Sequence, residues 1–279
     1  MPNRILIPIS LLFAAAAASA APPVAKETSI EQGYRHMYNL EFDQAHRSFN
    51  EWRNQHPEDP LAPASDAAAY LFSEFDRLHI LQSEFFTHDQ HFITDHKLTP
   101  DPALKRKFEA ELAQAKTLAA KTPSDPDSRF AALLASGLHS DYLALIEKRY
   151  GASFQEMKQA RTAAEQLLAA YPDRCDAWVA VGVENYMLSI KAAPMRWLLR
   201  LAGGETDRAL GIQKLKLAAQ KGHFLAPFAR LLLAVAALRD KDVNHARDIL
   251  ENLAREYPRN PLYTQELARM QSLAAGVPR

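Results

Sequence analysis

Apolar residues along this chain recur three and four positions apart, within long windows filled by Ala, Leu, Glu, Gln, Lys and Arg. The strict alternation of a half-buried strand is missing, as are the Asn-Gly and Asp-Gly turns of hairpins. The pattern predicts an all-α protein. Helix starts are read at Thr28-x-x-Glu31 and Ser153-x-x-Glu156, where a hydroxyl caps the free amides and the acid reaches back. Asp101-Pro102 and Asp125-Pro126 place an N-cap acid before a first-turn proline, and Thr206 is expected to cap the helix that follows Gly203-Gly204. Prolines close the helices in a rhythm: His56-Pro57, Thr122-Pro123, Tyr171-Pro172 and Tyr257-Pro258 each end one helix and lead to the next. Counting back twelve residues from Pro57, Pro172 and Pro258 gives Ala45, Ala160 and Ala246, and counting back eight gives Phe49, Ala164 and Leu250. A small residue at a helix crossing, a second packing residue one turn later and a closing proline are what an antiparallel helix pair requires.

With Gly33, Ala45, Phe49 and Pro57 in register, the chain resembles the tetratricopeptide repeat (TPR) family. Trp178, Val181 and Gly182 look like the opening of a further repeat, and Ala234 stands ahead of Ala246 in the same way. Pro123 counts back to Glu111, where the family prefers alanine, and the segment from Pro60 to Pro123 is too long for one standard repeat. From Pro194 through Gly211, Leu215 and Pro258 to Met270 the chain is also similar to the C-terminal part of the eukaryotic inclusion-body-clearance group of TPR proteins. The resemblance implies a TPR-like α-solenoid of roughly a dozen helices stacked as antiparallel hairpins, some degenerate or inserted. A helix beginning near Pro261 and carrying Leu262, Leu267 and Met270 would cap it. It also implies a partner-binding groove lined by the first helix of each repeat: Tyr34, Met37 and Tyr38, then Val183, Tyr186 and Met187, then Phe228, Leu231 and Arg239. Tyrosine and methionine suit adaptable contact with a protein or peptide. The lysine and asparagine set with which chaperone-docking repeats clamp a terminal carboxylate is not found at these positions.

The first residues change the picture by adding a destination. Arg4, the apolar stretch from Ile5 to Ala18 and the small-residue triplet Ala18-Ser19-Ala20 read as a signal peptide over residues 1–20. The expected product is a single domain over 21–279, with a flexible leader at 21–26, a frayed tail at 272–279, and a periplasmic address. Removing residues 1–20 takes away Arg4 and no acid, so the equal counts of 33 basic and 33 acidic side chains stay balanced to within one charge. That balance lacks the cationic surplus on which nucleic-acid binding rests. Cys175 is the single cysteine, so apolar burial, drawn from a chain 48% hydrophobic, must hold the fold.

Candidate chemistry is sparse. Glu84, His88, His91 and Asp95 share one stripe of a helix at metal-ligand spacing, although a solvated face gives the same pattern and the general-base glutamate of a zincin is missing. Hydrolase elbows, Ser-x-x-Lys pairs and phosphate-cradling loops are not found. Pro194 to Leu201, with Trp197 between Arg196 and Arg200, reads either as a short helix tucked against the core or as an amphipathic membrane contact. The sequence thus predicts a non-enzymatic, cofactor-free exported scaffold that binds a protein or peptide in the cell envelope. Its alternatives are a metal-binding protein or enzyme built on His88, His91 and Asp95, and a peripheral membrane protein anchored through Trp197.

Overall fold

The computed structural model of the protein describes residues 27–81 and 98–274, and among these it contains twelve α-helices and no strand. The first five are α1 (Ser29–Tyr38), α2 (Phe42–Gln55), α3 (Leu61–Arg77), α4 (Pro102–Ala119) and α5 (Pro126–Asp141). After a π-helical turn at Tyr142–Ile146 come α6 (Tyr150–Ala170), α7 (Trp178–Ser189) and α8 (Ala193–Leu201). The chain ends with α9 (Arg208–Lys221), α10 (Ala226–Arg239), α11 (Val243–Glu256) and α12 (Pro261–Ala274). Each helix packs on the next, except that α7 packs directly on α9 while α8 loops out between them. α12 runs to Ala274, past the point at 272 where the sequence predicts fraying.

Local chemistry explains several boundaries. Thr28 and Glu31 form the reciprocal capping box at α1, and Asp101 and Asp125 accept the first amides of α4 and α5 ahead of their first-turn prolines. Two expected caps are corrected. Ser153 lies inside α6, which begins at Tyr150; its oxygen atoms meet Ser140 Oγ at 3.0 and 3.1 Å. The reason is that the chain leaves the π turn through Lys148 at φ 58° and is already helical one turn before Ser153. At α9 the cap is Asp207, which accepts from Leu210 N–H at 3.0 Å, while the buried Thr206 accepts from Arg200.

Small residues set the helix crossings. Ala45, Ala160 and Ala246 are buried, as are Phe49, Ala164 and Leu250 eight residues before the same prolines. A Cβ on Gly33 would stand 2.2 Å from the Phe49 ring, so α1 lies closer to α2 than any other residue there would allow.

The two ends of the helical array meet. Tyr38 at the end of α1 donates its hydroxyl to Phe224 O at 2.9 Å, in the loop before α10, and the Tyr34 ring stacks on Phe224 at 4.7 Å. In the loop before α12, Arg259 N–H donates to Asn39 Oδ1 at 3.0 Å and Asn260 Nδ2 donates to Tyr38 O at 2.9 Å. A 2.8 Å contact of His223 Nε2 with Glu31 and an ion pair of Glu41 with Arg259 reinforce the seam. Phe72 on α3 meets Phe228 on α10 edge to face at 5.8 Å. A sequence-distant seam of this kind brings α10 against the first helices, and α10 is accordingly apolar nearly all round.

Candidate functional site

The packing of the helices leaves space that is partly open to solvent. A cavity of about 490 Å³ lies among α3, α5, the π turn, α6, α7, α8 and α10, with walls that include Phe154, Met157, Val183, Met187, Phe228 and Leu231. Two smaller hollows of about 210 and 90 Å³ adjoin it and share Phe228 as a wall. The position of Phe228 is fixed by Asp176, ahead of α7. Its carboxylate accepts the N–H groups of His223, Phe224 and Leu225 at 3.0, 3.3 and 2.8 Å and so holds the loop that leads into α10.

Three ionisable side chains interrupt the apolar wall of the large cavity: Asp141, Lys148 and Lys191. Asp141 is the last residue of α5, where the backbone opens from α to π geometry, and Glu147 N–H donates to Tyr142 O at 3.2 Å across the wider turn. Single π turns within helices occur frequently at functional sites. Burial alone pushes the Asp141 carboxyl up to about 7, and burial likewise lowers the Lys148 ammonium below its usual range. A carboxyl that titrates near neutrality beside an apolar cavity makes Asp141 a candidate binding position.

That burial has a measurable consequence. An unfolded chain releases the Asp141 proton near pH 4, whereas the folded protein keeps it until about pH 7. Over that window the folded state binds more protons, so this residue makes stability fall as pH rises. In urea unfolding, Asp141→Asn is expected to flatten that slope and to exceed the wild type at pH 8 by about 2–4 kcal/mol. Parallel pH profiles for the two proteins would refute the placement.

Of the expected groove residues, Tyr34, Tyr38 and Tyr186 are 4%, 4% and 2% exposed, and Met37 is also buried. Met37 and Tyr38 line the two smaller hollows, and Val183, Met187, Phe228 and Leu231 line the large cavity. Tyr186 lies under the Arg208 guanidinium, 5.7 Å from its ring centroid, and the half-buried Arg239 is among the charges that act on its hydroxyl. Glu84, His88, His91 and Asp95 fall outside the described residues. Among the described residues no group of three or more His, Cys, Asp and Glu side chains is placed to hold a metal. Sequence reasoning passed over Asp141, yet a signal exists: Leu134, Leu138, Asp141 and Leu145 share one helical face, so an acid stands on an apolar stripe.

Buried polar ties join the helices around the site. His46 Nδ1 meets Asp66 at 2.5 Å between α2 and α3, and Arg53 of α2 pairs with Glu111 of α4. On the other side, Arg161 of α6 pairs with the fully buried Glu184 of α7 at 3.0 Å. Comparison with models of protein families, with curated proteins and with solved structures finds no match for this chain.

Proposed function

We propose that this is a non-enzymatic, exported binding protein whose helix hairpins, arranged in the TPR manner, enclose a long apolar ligand with an acidic end group. The observation that carries this reading is the cavity of about 490 Å³, which lies within the roughly 300–1,000 Å³ typical of small-molecule sites. Its wall supplies methionines, leucines and phenylalanines to an apolar chain, and Lys148 and Lys191 stand on the same wall. Asp141, protonated below about pH 7, adds a hydroxyl donor rather than a repelling charge. A peptide lying in an open groove would need Tyr34, Tyr38 and Tyr186 accessible, and their burial favours an enclosed ligand over the protein or peptide partner that the family resemblance implies.

Support for the TPR arrangement comes from the buried Ala45, Ala160 and Ala246 and from the Gly33–Phe49 approach. A periplasmic address rests on residues 1–20 as a signal peptide, and the near-zero net charge argues against nucleic acid as a partner.

Palmitic acid serves as the probe. At a concentration about one hundred times its Kd it should stabilise the protein by about 2.7 kcal/mol, read as a rise in Tm. Met187→Trp, which fills the cavity from a half-buried position, should keep the fold and abolish the rise. If palmitate leaves the Tm of the wild type unchanged, or if Met187→Trp responds as the wild type does, the enclosed-ligand reading is lost.

A further inference from the structure

Among the described helices, α8 takes the least part in the packing. No residue of α8 is buried, and it makes only slight contact with α7. On one side Met195 and Leu199, one turn apart, line the large cavity. On the other Trp197, Leu198 and Leu201 form a stripe that is 61%, 53% and 68% exposed, which makes α8 the densest run of large exposed apolar side chains among the described residues. Apolar patches of this kind on a folded surface mark contact with something else.

The charges beside the stripe say what that is. From Asn185 to Gly204 the chain contains Lys191, Arg196 and Arg200 and no acid. Arg196 and Arg200 are one turn apart, so their cations form a row alongside the stripe of Trp197 and Leu201. The row is held in place by the bond from Arg196 Nη1 to Lys191 O at 2.8 Å and by that from Arg200 Nε to Thr206 Oγ1. Tryptophan and leucine beside a cationic row match the interface of a bilayer that carries anionic headgroups, the rings entering the acyl boundary while the guanidinium groups stay at headgroup level. No helix among the described residues is long and apolar enough to cross a membrane, so the contact would be peripheral.

We propose that α8 docks this protein on anionic lipid bilayers through Trp197, Leu198 and Leu201. The docking stands on α8 alone; combined with the enclosed-ligand reading, it places the cavity wall formed by Met195 and Leu199 at the membrane surface, where an acyl ligand would enter.

Flotation of the full chain with vesicles of phosphatidylcholine, with and without phosphatidylglycerol, tests the proposal. The wild type should float with the anionic vesicles, less so as salt is raised, and only weakly with the neutral ones. The variant Trp197→Ser/Leu198→Ser/Leu201→Ser, altered only at exposed positions, should keep the wild-type Tm and bind anionic vesicles at least tenfold more weakly. The emission of Trp197, isolated by comparison with Trp197→Phe, should shift to the blue on vesicle addition. Met187→Trp should float as the wild type does, which separates docking from ligand uptake. Absence of flotation, equal flotation of the triple variant, or equal binding to neutral vesicles would each overturn the proposal. So would a wild-type dimer in solution that the triple variant abolishes, since a second copy would then be what covers the stripe.

Discussion

Arg161→Met is expected to destabilise the protein by about 3–5 kcal/mol, because it leaves the carboxylate of Glu184 buried without its counter-charge. Glu184 on α7 is fully buried and its Oε2 accepts from Arg161 Nε at 3.0 Å, while Oε1 accepts the N–H of Glu205 at 3.0 Å. Next to it, Asn185 Oδ1 accepts the N–H of Asp207 at 3.2 Å. Two neighbouring side chains of α7 therefore hold both α6 and the loop before α9, and Arg161 is the cation that makes this tolerable. Burial raises the Glu184 carboxyl above its ordinary value even with Arg161 present. A raised carboxyl lowers stability as pH climbs from the unfolded value through the folded one. Removing Arg161 lifts the folded value further, so the loss should be deeper at pH 8 than at pH 5, as urea unfolding would show. The double variant Arg161→Met/Glu184→Met removes both charges and should recover much of the loss. A loss that does not change with pH, or no recovery in the double variant, would mean that Arg161 acts through packing alone.

Gly211→Val should cost about 3 kcal/mol, near the upper end of ordinary overpacking. A Cβ at Gly211 would stand 2.6 Å from Tyr186 N and 3.0 Å from Gly182 O. Those neighbours are backbone atoms of α7, so a side-chain rotation cannot relieve the clash, and α9 must move away from α7 as a body. Gly182 on the facing helix is equally committed, since a Cβ there would meet Leu215 Cγ at 2.8 Å. The control is Gly151→Ala: nothing lies within 4 Å of the added atom, and the residue sits in the first turn of α6. That change should stabilise by about 0.4–1 kcal/mol, through the lower entropy of the unfolded chain. In a chain of this size 1 kcal/mol moves Tm by about 2–4 °C, so thermal unfolding should separate the two variants by roughly 7–16 °C. Similar Tm values for both would show that α7 and α9 are not in backbone contact at Gly211.

The stretch from Leu138 to Lys148 shows where sequence reasoning stops. Asp141 could have been noticed as an acid on an apolar stripe, but its meaning depends on a π turn that no local signal announces and on α10 arriving from residues far along the chain. Tyr38 gives the complementary case. Its burial follows from its place one turn after Tyr34 on one face of α1, whereas its bond to Phe224 O joins segments far apart in the chain. The Pro194–Leu201 segment was readable as a helix, either tucked against the core or touching a membrane; in the structure Trp197 is exposed while Met195 and Leu199 line the large cavity. At Ser153 and Thr206 a plausible cap motif lost to the path of the preceding chain.

Short-range spacing in the sequence was enough to show that the chain is helical, where several helices start and stop, and which small residues let them approach. Those properties depend on contacts within a turn or between adjacent helices, and both are written in short-range spacing. Long-range packing brings the first helix to the loops before α10 and α12, buries Tyr34, Tyr38 and Tyr186, and sets Asp141, Lys148 and Lys191 around one cavity. The physical reason is that these contacts join segments far apart in the chain and depend on the placement of every helix between them. No single spacing in the chain records that placement.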